Sequence, residues 1–380
     1  MEGGLKADRA LSNLAAAKWM VLVVATLSAL VLAEIGARAA SSFLHRPSVF
    51  VRDPYTGWRA RANLEKVLVE ANGGRFRLST DGDGHRLSYP RNHPIGDSAP
   101  VVLLLGDSFV QGLTVEDEET FVWLLAREFE NYRFVNMGVA GYGTDQELVQ
   151  LERYMESHPS TVVGDVVVVV FENDFEDVQR SEDPYLGRTK PVYHLDQNGL
   201  FRGRYQLSWT DHLMDTSRLG WLIQSKWALI SSPRGPPAAS GIPLVRACLE
   251  AMRTVAETRS ARLHIFGARH ALEPKMDQVS WNKFIRLSEA VDTDRIRGAN
   301  VVSYDGGHWN AEGHRQLAAL IKNHVGFRPA LLPAREQRRP TASIVTKRTA
   351  TSPTRIPGRR FRKPLPNPSR QFVEVSKVTR

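Results

Sequence analysis

The 380-residue chain is 42% hydrophobic with one cysteine and a net charge of +9. That is apolar enough for one large domain or two smaller ones, and excludes an intrachain disulfide. The charge is uneven: residues 335–380 hold thirteen Lys/Arg against two Asp/Glu, net +11, which leaves the preceding 334 residues at −2. A near-neutral body is not a nucleic-acid surface, and no specific nucleic-acid partner is expected.

The first apolar element is "WMVLVVATLSALVLA" (19–33), fifteen uncharged residues between Lys18 and Glu34. A bilayer core of ~30 Å needs ~20 residues. Extending over Ile35–Ala37, with Lys18 snorkelling at the near end, supplies them. Glu34 and Arg38 are one helical turn apart and can pair at the membrane edge. The competing reading is a signal peptide cleaved at "ARA" (37–39). The expectation is a cytoplasmic segment 1–18, a single-pass signal anchor at 19–37, and an exported body, periplasmic or extracellular.

Residues 47–99 read as a β-rich extension with turns such as "TDGDGHR". From residue 100 strand-like and helix-like stretches alternate, which predicts an α/β fold with a parallel sheet. "VVLLL" (101–105) opens it, followed by a helix in "DEETFVWLLAREFENY" with Asp117 as N-cap. "RFVNMG" (133–138) is the second strand. Thr144 and Glu147 form a capping-box pattern for the next helix. "DVVVVVFEN" (165–173) is an unbroken apolar run, as a central parallel strand requires. Residues 178–241 interrupt the alternation and read as an insertion containing a helix around 212–227. A helix at 243–258, a strand at 261–268, a helix at about 278–291, a strand "NVVSYD" (300–305) and a last helix from Asn310 complete a five-stranded, flavodoxin-like domain over 100–327. The tail 335–380, rich in Pro, Ser, Thr and Arg, predicts disorder and could contact anionic surfaces.

In a parallel sheet the carboxyl ends of the strands share one edge, where ligands bind. Four groups fall at such ends: "GDSFVQG" (106–112), "GVAGYG" (138–143), Asn173 and "DGGHWN" (305–310). Their types suit acyl transfer. A serine hydroxyl needs a base to take its proton. His308 can be that base, and Asp305 can hold its tautomer and stabilise the imidazolium. The Ser108 and Gly141 backbone N–H groups and the Asn173 amide could donate to an oxyanion.

Together these blocks resemble the SGNH (GDSL-like) hydrolase superfamily, over about 100–325. "GDSFVQG" matches its serine block, "NMGVAGYGT" its glycine block, "FENDFED" its asparagine block and "DGGHWNAEGH" its D-x-x-H block. The resemblance implies a Ser108–His308–Asp305 triad and an oxyanion hole of Ser108, Gly141 and Asn173. Aligning on Asn136 favours Gly141 over Gly138. The third block departs from the family's G-x-N-D, with Phe171 at the glycine position. Val110 also excludes the G-x-S-x-G elbow of the larger α/β-hydrolases.

Other reactive side chains read as structural. Asp107 and Asp174 satisfy backbone amides, His264 is a buried strand residue, His314 packs or hydrogen-bonds, and Cys248 is a buried thiol. His85 lies in a turn without the spacing of a calcium loop. Without a zinc-type Cys/His cluster or a P-loop, no metal or cofactor is expected. Trp209, Trp221 and Trp227 could line the substrate side of the insertion, core packing being the default. The expected substrate is an acyl or acetyl ester of envelope carbohydrate or lipid. The alternatives are a polysaccharide O-acyltransferase using the same triad, or an inactive carbohydrate-binding module.

Overall fold

The structure is a computed structural model that describes residues 2–43 and 49–327, apart from 70–73, 92, 94, 95, 97, 184–187, 204, 206–208, 221, 224–236, 271 and 273. The basic tail, Trp221, Trp227 and the side chain of Trp209 therefore lie outside the described residues.

Five parallel strands form the main sheet: β5 (Val101–Leu105), β6 (Arg133–Asn136), β7 (Val163–Phe171), β10 (Arg262–Ala268) and β11 (Val291–Asp292). Their order is β11-β10-β7-β5-β6, the flavodoxin-like order 2-1-3-4-5 when the strands of this sheet are counted along the chain. The period of two sends alternate side chains to opposite faces. Val101, Leu103, Leu105, Val166 and Val168 meet the helices α4 (Thr144–Ser157), α7 (Ala238–Glu257) and α8 (Gln278–Ser288) through Leu148, Val245, Met252 and Trp281. Val102, Leu104, Val167 and Val169 meet α3 (Phe121–Glu128) and α9 (Ala311–Val325) through Phe121, Leu125, Leu317 and Ile321. Each such side chain contributes ~1.5–3 kcal/mol by burial.

The fifth strand is not "NVVSYD". Two residues, Val291 and Asp292, pair with Phe266 and Gly267 at the sheet edge. Helix α8 stops at Ser288, three residues short of the expected end, because Glu289 takes a left-handed cap. Residues 300–305 instead close on the chain that follows them. Asn310 N donates to Val301 O at 2.9 Å and Ser303 N to His308 O at 2.8 Å. Their alternating pattern serves a loop closure rather than the sheet.

Two helix starts also differ from expectation. Asp117 lies in a short 3₁₀ turn and is buried, while Thr120 caps α3 by accepting from Trp123 N at 3.2 Å. Gly143 precedes α4, and Glu147 is fully buried rather than part of a capping box.

The extension forms two antiparallel hairpins, β1 (Phe50–Asp53) with β2 (Gly57–Ala60) and β3 (Glu65–Val69) with β4 (Arg75–Ser79). Two large buried side chains are among those that bind it to the sheet domain. Trp58 packs on Val139 and Tyr142 and donates to Ala140 O at 3.1 Å. Arg86 donates to Asp117, to Gln111 O and Val115 O at 2.8 Å, and to Gly112 O.

The insertion contains the hairpin β8 (Tyr193–Asp196) with β9 (Gly199–Arg202) and the helix α6 (Trp209–Thr216). Helix α1 (Glu2–Phe43) includes a stretch, Ala17–Ala39, long and apolar enough to cross a membrane. Glu34 pairs with Arg38 at 2.6 Å. It also accepts from Ser217 Oγ at 2.7 Å and from the Arg218 and Leu219 N–H groups at 3.0 Å.

Candidate active site

Strand β5 ends at Leu105, and the chain reverses into the short helix α2 (Ser108–Gln111). Gly106 is needed at this reversal: a Cβ there would lie 2.2 Å from a Val110 methyl. Asp107 caps the helix by accepting from Phe109 N at 2.9 Å, which leaves Ser108 as its first residue, half-buried.

His308 comes from the loop before α9, two hundred residues away in sequence. Its Nε2 lies 2.8 Å from Ser108 Oγ, and its Nδ1 is hydrogen-bonded to Asp305 Oδ2. The carboxylate fixes the tautomer with the proton on Nδ1, so Nε2 presents its lone pair to the serine O–H. Asp305 is itself held: Oδ1 accepts from Gly307 N and His308 N at 3.0 Å each. Partial burial alone would raise the Asp305 carboxyl, but the His308 ring and these amides hold it at about 2. The imidazole leans on Phe109, with ring centroids 4.9 Å apart. Phe171, at the position of the family's glycine, also stacks on Phe109, at 3.6 Å, and meets Trp309 edge-on. It is not among the residues with positive φ, so nothing in the backbone there requires glycine.

The glycine turn is fastened to α2. Asn136 Nδ2 donates to Val110 O at 2.9 Å, and Ala140 N donates to the buried Gln111 Oε1 at 3.0 Å. Gly138 lies against the Val110–Gln111 backbone. Gly141 has φ +79°, and a Cβ would lie 2.5 Å from Asp183 Oδ2; a side chain would meet both backbone strain and a buried carboxylate.

Asn173 stands at the start of α5 (Asp174–Asp177) rather than on β7. Its amide is not turned to an open space. Nδ2 donates to Asp107 Oδ2 at 3.1 Å and to Asp177 Oδ2 at 2.9 Å, while its buried Oδ1 has no partner among the described residues. Behind it lies a group of fully buried acids, Asp107, Asp174 and Glu147. Burial pushes all three up, and their mutual repulsion adds to this for Asp174 and Glu147. Neither oxygen of Glu147 has a partner among the described residues. Burial also pushes Asp177 up to about 7, against the pull of Lys190. Lys190 is paired with Asp145 at 2.6 Å. The sequence did not reveal this acid group, because buried aspartates next to turns read as ordinary capping residues.

The remaining candidates are structural in this arrangement. His314 is buried and accepts from Phe121 N at 3.3 Å; burial holds its ring down to about 3. His264 is half-buried rather than a core residue, with Nε2 2.9 Å from Asp165. Burial pushes the Cys248 thiol well up. Asp81, Asp83 and His85 bring ligand atoms within 4.8 Å of one another, but Asp81 already accepts from the Asp83 and His85 amides at 3.0 and 2.9 Å.

No protein-family model and no curated protein matches the chain. Solved structures do. The crystal structure of TesA is 13% identical, covering 59% of this chain and 96% of its own, with a TM-score of 0.37. A psychrotrophic esterase EstA from Pseudoalteromonas sp., inhibited by monoethylphosphonate, is 13% identical, covering 60% and 99%, with a TM-score of 0.35. A lipolytic G-D-S-L family member from Veillonella parvula is 11% identical, covering 60% and 99%, with a TM-score of 0.33. The assignment of the fold to this chain rests on its own strand order.

Proposed function

We propose that the chain is a serine ester hydrolase of the SGNH type, with Ser108 as nucleophile, His308 as general base and Asp305 as the group that orients it. The observation that carries this reading is the continuous relay from Ser108 Oγ through both ring nitrogens to Asp305. Three residue types that acyl transfer requires stand in hydrogen-bond order at the carboxyl edge of a parallel sheet, the edge where such folds bind ligands.

Ser108 Oγ attacks the ester carbonyl as its proton passes to His308 Nε2, and Asp305 stabilises the imidazolium. The oxyanion takes hydrogen bonds from the Ser108 and Gly141 N–H groups and from Asn173 Nδ2. Donation by Asn173 requires it to release one of its two carboxylate partners. Asp177, the acceptor outside the serine block, is the one to yield. His308 then returns the proton to the departing alcohol oxygen. Water deprotonated by the same imidazole cleaves the acyl-serine. Each oxyanion donor is worth ~3 kcal/mol in the transition state.

The enzyme works outside the cytoplasm, anchored by residues 19–37, on acyl or acetyl esters of envelope carbohydrate or lipid. Support for a retained anchor comes from Glu34: cleavage after Ala39 would remove a carboxylate that the insertion binds through three donors. The test is labelling of the purified full-length protein with a fluorophosphonate probe. Covalent modification at Ser108, absent in Ser108→Ala, is expected. Failure to label would overturn the enzymatic reading.

A further inference from the structure

A cavity of about 250 Å³ lies where the extension meets the sheet domain, and none of Ser108, Asp305 and His308 lines it. The β1–β2 hairpin contributes Asp53 and Arg59, and the turn after β4 contributes Asp83. Gln150 and Arg153, three residues apart, share one face of α4 and supply a helical wall. The buried part of the lining is Val139 and Tyr142, which flank Gly141 in the glycine turn. Tyr142 ties that turn to the extension by donating to Thr56 Oγ1 at 2.8 Å.

The polar groups of this cavity are only partly used by the protein. Gln150 Oε1 is buried and accepts from no donor among the described residues. The Arg153 guanidinium lies over the Tyr55 ring, 3.4 Å from its centroid, and pairs with no carboxylate among the described residues. Arg59 reaches Asp53 only at 3.8 Å, and the other oxygen of Asp53 accepts from the Tyr55 and Thr56 amides at 2.9 Å. Burial pushes the Tyr142 hydroxyl up and both guanidiniums pull against it, so they flank one space. Asp83 is exposed. His85 and His158 also line the cavity, and a neutral imidazole carries one donor and one acceptor nitrogen.

This balance of donors and acceptors selects the ligand. An anion would meet Asp53 and Asp83, and a cation would meet Arg59 and Arg153. An apolar ligand would cover the guanidiniums and the Gln150 amide without pairing them, which is costly. A hydroxyl both donates and accepts, so a ring of adjacent hydroxyls satisfies both kinds of group. The volume falls below the ~300–1,000 Å³ of drug-sized pockets and suits a single ring.

We infer that this cavity is a carbohydrate subsite that takes one sugar ring of a glycan. Arg59 and Arg153 donate to its hydroxyls, while Gln150 Oε1 and Asp83 accept from them. Val139 and Tyr142 frame Gly141, so a sugar held here borders the turn that offers an oxyanion donor. The inference deepens the hydrolase reading above by choosing carbohydrate over lipid as the carrier of the ester. It rests on that reading for the ester, and on the cavity alone for the sugar.

The test is saturation-transfer NMR on the full-length protein in a sugar-free detergent, with methyl glucoside, methyl galactoside and methyl mannoside as probes. Treatment with the fluorophosphonate first blocks Ser108, which keeps the probes out of the serine site. Transfer to at least one glycoside is expected. It should fall about fivefold in Gln150→Ala and in Arg153→Ala, the worth of one typical hydrogen bond. Both variants should keep the wild-type thermal midpoint and label at Ser108 as before. A variant whose midpoint falls is replaced by Asp83→Ala, at an exposed position. Absence of transfer to all of the glycosides overturns the subsite. So does transfer undiminished in the folded variants, because the sugar then binds elsewhere. Failure of Ser108 to label, with transfer lost in the variants, removes the hydrolase and upholds the subsite.

Discussion

The two sides of the serine turn are built in opposite ways. On the His308 side the Ser108 hydroxyl, both ring nitrogens and the Asp305 carboxylate form one hydrogen-bonded chain, and Asp305 is held ionised by the ring and two amides. On the Asn173 side the amide is shared by two carboxylates, and the acids behind it are pushed by burial toward their neutral forms. One side is arranged for a proton to move along a fixed line. The other holds two carboxylate acceptors where the proposed mechanism needs a free donor, so its competence in that mechanism depends on which acids keep their protons.

The sharpest break is Ser108→Ala. It should abolish acyl-ester turnover, by ~10⁴-fold or more, with a thermal midpoint close to wild type. Turnover within tenfold of wild type would remove Ser108 from the chemistry. Asp305→Asn comes next. A wrong tautomer harms the transition state rather than binding, so kcat should fall by ~10³–10⁴ with KM nearly unchanged. An effect on KM alone would make Asp305 a substrate contact.

On the other side the effects should be smaller. Asn173→Ala should lower kcat by ~10²–10³ if its amide turns to the oxyanion. A wild-type rate would mean that the amide stays with Asp107 and Asp177 throughout. Asp177→Asn keeps an oxygen to accept from Asn173 and should change kcat less than about tenfold. Its clearer signature is stability. The folded value of about 7 lies above the ordinary 3.8. Between these values the folded chain binds the extra proton, so stability falls as pH rises and levels off above about 7. Chemical denaturation should show Asp177→Asn about 3 kcal/mol more stabilising at pH 8 than at pH 5. Equal effects at both would show that Asp177 is not titrating in this range.

The sequence was most legible where burial leaves no choice. β5 and the middle of β7 are covered on both faces, so they read as unbroken Val/Leu runs. It misled where two structures use one pattern. "NVVSYD" alternates like an edge strand but closes a loop, whereas the true edge strand is two residues long and carries almost no signal. Glu147 follows Thr144 at capping-box spacing, yet it is an inward-facing acid. Ser108, Asp305 and His308 could be picked out because their types and block order are specific. The partners of Asn173 could not, because an aspartate's identity says nothing of which amide it faces.

Arg86 gives the extension a meaning that its own hairpins do not. Its guanidinium closes the carbonyl end of the serine helix and neutralises Asp117 inside the protein, and stranding one member of a buried ion pair costs ~3–5 kcal/mol. A chain trimmed to begin at residue 100 would keep every residue of the four blocks and still lose this brace, and Trp58 with it. The smallest piece that keeps this brace therefore starts near residue 50, well upstream of the first strand of the main sheet.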